Sequence, residues 1–334
     1  MTQPGGHGRA DAPLIDRFVL GCAVIGGLYR PVDEATASAM FEAAWESGVR
    51  AFDTAPHYGA GLSEERVGAF LRQFPRDSYT LSTKVGRLLV PTDEDVEGAE
   101  GFYGGKHNRR VRDYSAEGVR RSLEESLGRM GLDRIDTVLI HDPEDYMEPA
   151  LTQAAPALVE LREQGVIRSV GAGMNFSPEL TRFVRETEVD TVMLAGRYTL
   201  LDRGAEADLL PACLDRDVSI IAVGVFNSGI LANPKPGANF NYDAAPDALV
   251  QRALRLKELC ESFDVPLRAV AMQFPLRHPA VATVAVGART AEQIRDNVAL
   301  LDVVVPEELW AHVEGFASGP AIGGTADAAE GAGR

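Results

Sequence analysis

The chain has 334 residues, 45% hydrophobic and 25% charged, which is material for one large globular domain or two ordinary ones. Acids outnumber bases 49 to 33, and the formal net charge of −16 repels phosphate backbones and anionic lipid, so neither nucleic acid nor a membrane is expected as a partner. Three scattered cysteines speak against a disulfide framework or a metal knuckle, and the N-terminus lacks the apolar stretch of a secretion signal, so a cytoplasmic protein is expected.

Residues 1–12 and the tail 318–334 are small, Gly-rich and Ala-rich, and are expected to be flexible and disordered, leaving 13–317 as a single domain. Within it, short apolar runs alternate with amphipathic stretches. A strand over Phe18–Cys22 precedes a helix from Asp33 to Ser47, with Ala37, Met40, Phe41 and Ala44 on one face. Val49–Asp53 is a second strand, Ser63–Leu71 a helix and Tyr79–Lys84 a third strand. Ser115 caps a helix whose apolar positions are Val119, Leu123, Leu127 and Met130. Thr137–Ile140, Arg168–Gly171, Thr191–Leu194, Ser219–Val223 and Ala282–Val286 complete eight strands. The intervening helices run over Ala150–Gln164, from a Ser177-Pro178 cap and first turn, over Asp247–Phe263 and over Pro266–Arg277. Thr290 and Gln293 form a capping-box pattern for a last helix.

Eight short apolar runs, each followed by helix-like sequence, predict an α/β fold, a closed (β/α)8 TIM barrel of about 250 residues plus insertions. A doubly wound sheet would have fewer units and a Gly-rich first turn, and no G-x-G-x-x-G is present. Between the third strand and its helix, Val85–Tyr114 breaks the rhythm with Phe102, Tyr103, Tyr114, Lys106, Arg109 and Arg110. This long insertion belongs on the C-terminal face and reads as a flap over a pocket.

The same face collects the chemistry. Asp53 ends the second strand, Lys84 ends the third, His141 follows the fourth, and Tyr58 lies in the DTAPHYG loop. Each alone has an ordinary reading: a turn-capping carboxylate, a half-buried packing phenol, a solvated lysine, a structural imidazole. Together they suit carbonyl–alcohol interconversion. An ammonium beside a phenol favours phenolate, a carboxylate behind the lysine keeps it charged, and an imidazole can hold the carbonyl oxygen. Hydride must come from a cofactor, because no side chain supplies it.

DTAPHYG, the STK before the flap and the strand ending in IH resemble the signatures of the aldo-keto reductases over about Arg17 to Ala317. DEDVEGAEGFYGGKHN, LAGRYTLLD, VFNSGIL and MQFPLRHPAVATVAVGA are similar to the branch of D-threo-aldose 1-dehydrogenases (L-fucose dehydrogenases), which some pyridoxal dehydrogenases also resemble. The resemblance implies NAD(P) as cofactor, Tyr58 as general acid/base tuned by Lys84 and Asp53, and His141 as the residue that orients substrate. The branch implies oxidation of a cyclic aldose of the L-fucose or D-arabinose type at C1 to the lactone. It also places the dinucleotide against Asn175, the loop residues Phe226, Asn227, Ser228, Gly229 and Leu231, and Gly287, Arg289, Gln293 and Asn297.

Arg289 suits a 2′-phosphate and hence NADP, while Gln293 stands where NADP-specific relatives often carry arginine, so NAD against NADP stays open. Met174, Ala195 and Val223 depart from the family pattern around the nicotinamide, where Phe226, Arg197 or Tyr198 could compensate. His57, Phe102, Tyr103 and Asp142 are the candidate substrate residues; Asp142 suits hydroxyl groups, or it caps a turn. Alternatives are an NADPH-dependent reductase of small aldehydes or ketones, a pyridoxal dehydrogenase, a Schiff-base lyase using Lys84, and a non-catalytic cofactor-binding module.

Overall fold

The computed structural model describes residues 12–241 and 243–316. Eight parallel strands close into a barrel: Phe18–Gly21, Ala51–Asp53, Thr80–Val85, Thr137–His141, Ser169–Met174, Thr191–Ala195, Ser219–Val223 and Val281–Val286. The first strand closes the ring, pairing Phe18 with Val284 on one side and Leu20 with Phe52 on the other. All eight predicted strands are present. The disorder expected of 1–12 and 318–334 falls outside the described residues, Ala12 apart.

Helices cover the barrel because each supplies an apolar stripe. Glu34–Glu46 starts where the Asp33 side chain accepts the Thr36 N–H, and buries Ala37, Met40, Phe41 and Ala44. Ala116–Met130 starts where Ser115 Oγ accepts the Gly118 N–H at 3.0 Å and stops at Gly131, whose φ of 62° is the left-handed cap.

Some expectations need correction. The helix expected over Ala150–Gln164 widens into a π-turn at Ala150–Ala154 before its α-helical part, Ala155–Glu163. Pro156 lacks the N–H that would bond back to Thr152, and the wider turn absorbs the gap. Ser177 is not a cap: Phe176, extended at φ −121° and ψ 113°, holds that position without a side-chain bond, and Ser177 is the first helical residue. At the last predicted helix, Thr290 Oγ1 accepts the Gln293 N–H, but Gln293 Oε1 reaches past Thr290 to the Arg289 N–H at 2.9 Å. A further helix, Glu307–Phe316, buries Leu309, Trp310 and Val313 and was not foreseen. No helix among the described residues is long and apolar enough to cross a membrane.

The Val85–Tyr114 insertion is a structured hairpin, in which Arg87–Pro91 pairs antiparallel with Asn108–Arg112. It leaves the third strand through Gly86, whose φ of 101° excludes a side chain; a Cβ there would sit 2.3 Å from the Tyr114 ring. Tyr114 in turn donates its hydroxyl to the carbonyls of His141 (2.6 Å) and Asp142 (2.8 Å). The flap is thereby fastened to the loop after the fourth strand.

Candidate active site

Register places the chemistry at one end of the barrel. Asp53 lies opposite Ser82, Lys84 opposite Leu139, and His141 opposite Gly173, all at the C-terminal ends of neighbouring strands. Lys84 Nζ donates to Asp53 Oδ2 at 2.6 Å and to the Thr54 carbonyl at 3.0 Å, while Ser82 Oγ donates to Asp53 Oδ1 at 2.7 Å. Both partners of this ion pair are almost wholly buried. Burial pulls the Lys84 ammonium down, but Asp53, then Tyr58, outweigh it, and its pKa lies above the usual lysine value.

The ammonium sits 4.6 Å from the centre of the Tyr58 ring. The phenol does not have the depressed pKa that this neighbour suggested. Burial pushes it up to about 12; Lys84 pulls the other way, and Asp53 raises it again. Lys84 favours the phenolate, but the burial of the phenol outweighs it. The Tyr58 and His141 rings meet edge-on at 5.8 Å, and His57 lies 5.4 Å from His141. Both imidazoles are held neutral: burial, then Arg87, lowers His57 to about 2 and His141 well below the usual histidine value. Phe102 closes the pocket from the flap, stacked 5.9 Å from Tyr58 and bridged by its backbone to Leu28. Asp142 stands beside His141, its Oδ2 3.5 Å from Nε2. Tyr103 is 38% exposed, packs beside Gly98 of its own flap, and does not join this group.

The residue missed by sequence reading is Arg87. It is buried, and its guanidinium donates to Asp142 Oδ2 and Glu100 Oε2, both at 2.8 Å, and lies 3.1 Å from His57 Nδ1. A cation directly after the glycine that ends strand three was the available signal. Of the basic residues singled out instead, Arg110 donates to the His57 carbonyl and Lys106 pairs with Glu65 at the surface.

The candidate cofactor residues gather between the ends of strands seven and eight, which are paired neighbours. Gly229, with φ of 96°, and Gly287 expose bare backbone, and the Ala291–Ala299 helix opens behind the exposed Arg289, a fit for a phosphate-bearing ligand. Arg289 lies 5.6 Å from the Tyr29 ring centre, and Asn175 follows the fifth strand, with Phe226 and Ser228 on the loop itself.

Three of the expected contacts have other work. Asn227 is buried and staples the loop, accepting from Thr199 Oγ1 at 2.6 Å and donating to the Gly196 carbonyl at 3.1 Å. Leu231 is in the core with its N–H given to Phe226. Asn297 is buried and accepts from Arg268 at 2.7 Å. Gln293 is exposed, with its side-chain oxygen on the Arg289 N–H. Among the described residues no cluster of His, Cys, Asp and Glu is arranged to hold a metal.

The family model for the Aldo/keto reductase family matches residues 17–318. A D-threo-aldose 1-dehydrogenase from a Pseudomonas species is 44% identical over 88% of this chain and 91% of its own length. A pyridoxal 4-dehydrogenase from Microbacterium luteolum is 41% identical, covering 87% of this chain and 91% of that one. Among solved structures, the holo form of aldo-keto reductase AKR11C1 from Bacillus halodurans superposes with a TM-score of 0.71 at 27% identity, covering 90% of this chain and 91% of that chain. The chain belongs to the aldo/keto reductase family and is an NAD(P)-dependent oxidoreductase.

Proposed function

We propose that this enzyme oxidises the anomeric carbon of an uncharged aldose, of the L-fucose or D-arabinose type, to the lactone, with Tyr58 as the general acid/base. The observation that carries the reading is the buried Lys84–Asp53 pair set against the Tyr58 ring. The bound dinucleotide supplies the hydride acceptor, which no side chain can be. Everything else falls to the protein. Tyr58 first gives its own proton to solvent, and the resulting phenolate takes the proton of the C1 hydroxyl as the C1–H electron pair leaves. Lys84 stabilises the phenolate that oxidation requires, and Asp53 keeps that ammonium protonated. The neutral His141 donates to the sugar oxygen as it becomes a carbonyl. Run backwards, the same phenol is an acid, and its high pKa keeps it protonated for that direction.

Charge in the pocket supports an uncharged substrate. Lys84, Arg87 and Arg110 stand against Asp53, Glu100 and Asp142, and Asp142 also feels the opposed charges of Arg112 and Glu144. Such a wall is rich in hydrogen-bond groups yet nearly balanced, which favours hydroxyls over phosphates or carboxylates. The 41%-identical pyridoxal 4-dehydrogenase makes pyridoxal, which also closes to an internal hemiacetal, the second substrate to try. The test is to supply L-fucose, D-arabinose and pyridoxal with NAD or NADP and follow the reduced nicotinamide. Aldose-dependent reduction with lactone as product supports the proposal; activity with pyridoxal alone, or with none of the three, overturns it.

A further inference from the structure

Arg87 is a cation of the pocket whose side chain bonds to both its fixed and its inserted sides. Its Nη2 reaches Asp142, on the loop after the fourth barrel strand; its Nη1 reaches Glu100 and His57, on the flap and on the loop after the second strand. Asp142 is itself over-determined. Its φ of 43° lies in the left-handed region, unusual for a residue with a side chain. It is kept there by its own N–H on the Gly173 carbonyl at 3.0 Å, by Tyr114 on its carbonyl, and by Arg87 on its carboxylate. Two buried polar atoms of this wall, Arg87 Nε and His141 Nδ1, have no hydrogen-bond partner. Buried donors and acceptors left unused are uncommon in folded proteins and call for a ligand or water to complete them.

We propose that Arg87 is a specificity-determining positioning residue, which locks Asp142 and the flap carboxylate Glu100 into one polar wall that recognises the hydroxyl groups of an uncharged polyhydroxy substrate. Both carboxylates then present their remaining lone pairs as acceptors for vicinal hydroxyls, while the guanidinium offsets one of their two charges and is left with no spare charge to attract an anion. The fork shape matters as well as the charge, because an ammonium is a point donor and cannot bridge two carboxylates in a fixed plane. This inference rests on the proposed aldose reading for its natural substrate. Its test does not.

The experiment uses the intact protein in the reductive direction, comparing glyceraldehyde with propanal, three-carbon aldehydes with and without hydroxyls. Arg87→Ala should lower the kcat/KM preference for glyceraldehyde by about tenfold or more, the scale on which a site built to bond hydroxyls discriminates. Most of that change should be in KM. Arg87→Lys should recover part of the preference, and Asp142→Asn should lower it without adding to Arg87→Ala in the double variant. Glyceraldehyde 3-phosphate should be a poor substrate for the wild type. Melting temperature and fluorescence titration with the reduced cofactor check that the variants are folded; if Arg87→Ala is not, Arg87→Lys and Asp142→Asn carry the comparison. Equal losses for both aldehydes, or an unchanged preference, would overturn the role of Arg87. A wild type that distinguishes these aldehydes but oxidises no aldose would overturn the proposed function and leave Arg87 standing.

Discussion

Asp53→Asn removes the charge that keeps a fully buried lysine protonated. The Lys84 and Asp53 side chains are 2% and 5% exposed, and their charged atoms are 2.6 Å apart. Breaking such a pair from one side leaves an uncompensated charge and costs about 3–5 kcal/mol, a large part of a typical total stability of about 5–15 kcal/mol. The sign of the pH dependence differs between the two proteins. In the wild type the folded Lys84 pKa lies above the ordinary 10.5, so its contribution is complete below 10.5 and is lost as pH rises through the folded value. In the variant, burial dominates and the folded pKa falls below 10.5, so folding releases a proton and the variant gains stability as pH rises towards that value. The difference between the two should therefore be largest near neutrality and shrink towards pH 10.5. Urea unfolding, read by the fluorescence of Trp45 and Trp310 across that range, measures it. Asp53→Leu with Lys84→Met should recover most of the stability while remaining inactive, since an apolar pair carries no desolvated charge. A deficit below about 1 kcal/mol at neutral pH, or one that ignores pH, would refute the account of the pair.

Tyr58→Phe should bind the reduced cofactor as the wild type does, by fluorescence titration, and lose about 10²–10⁴-fold in turnover, the usual worth of a general acid/base. Because the free phenol sits near pKa 12, oxidation by the wild type should accelerate and reduction slow as pH rises; profiles flat in both directions would remove the phenol from the mechanism. Acid stability follows from the two neutral imidazoles. With folded values far below the unfolded 6.5, their contribution is present above pH 6.5 and is lost as pH falls. The loss is about 1.4 kcal/mol per pH unit for each histidine, and denaturation midpoints of His57→Asn and His141→Asn should each show a correspondingly shallower slope. Asn227→Ala should cost about 1–3 kcal/mol by removing the acceptor of the buried Thr199 hydroxyl proton and the amide donor to the Gly196 carbonyl. Calorimetry should show cofactor affinity falling with it, and turnover at saturating cofactor changing less.

What the sequence reveals of the fold depends on how local the cause is. Strand ends at Ser219 and Val223, the helix beginning near Asp33 and the cap at Ser115 are set by apolar runs and by side chains a few residues away, and they are legible. The π-turn before Pro156 and the start of the helix at Ser177 depend on how the preceding segment arrives, and composition does not record that. The Glu307–Phe316 helix is apolar only at Leu309, Trp310, Val313 and Phe316, too short a pattern to separate from the Gly-rich tail beside it.

The site divides in the same way. Asp53, Lys84 and His141 are legible because barrel strands are parallel and in register, so a residue at the end of one strand is necessarily near the end of the next. Arg87 escapes because its position depends on the flap being a hairpin, whose two strands face each other across the long connection 92–107. The sign of the Tyr58 shift escapes for a related reason. Sequence places an ammonium beside the phenol, but only the structure shows how deeply the phenol is buried, and burial outweighs the pull of Lys84. Which groups meet at the barrel mouth follows from topology; which ionisation state each prefers is decided by how deeply the folded chain buries it, and no spacing in the sequence records that.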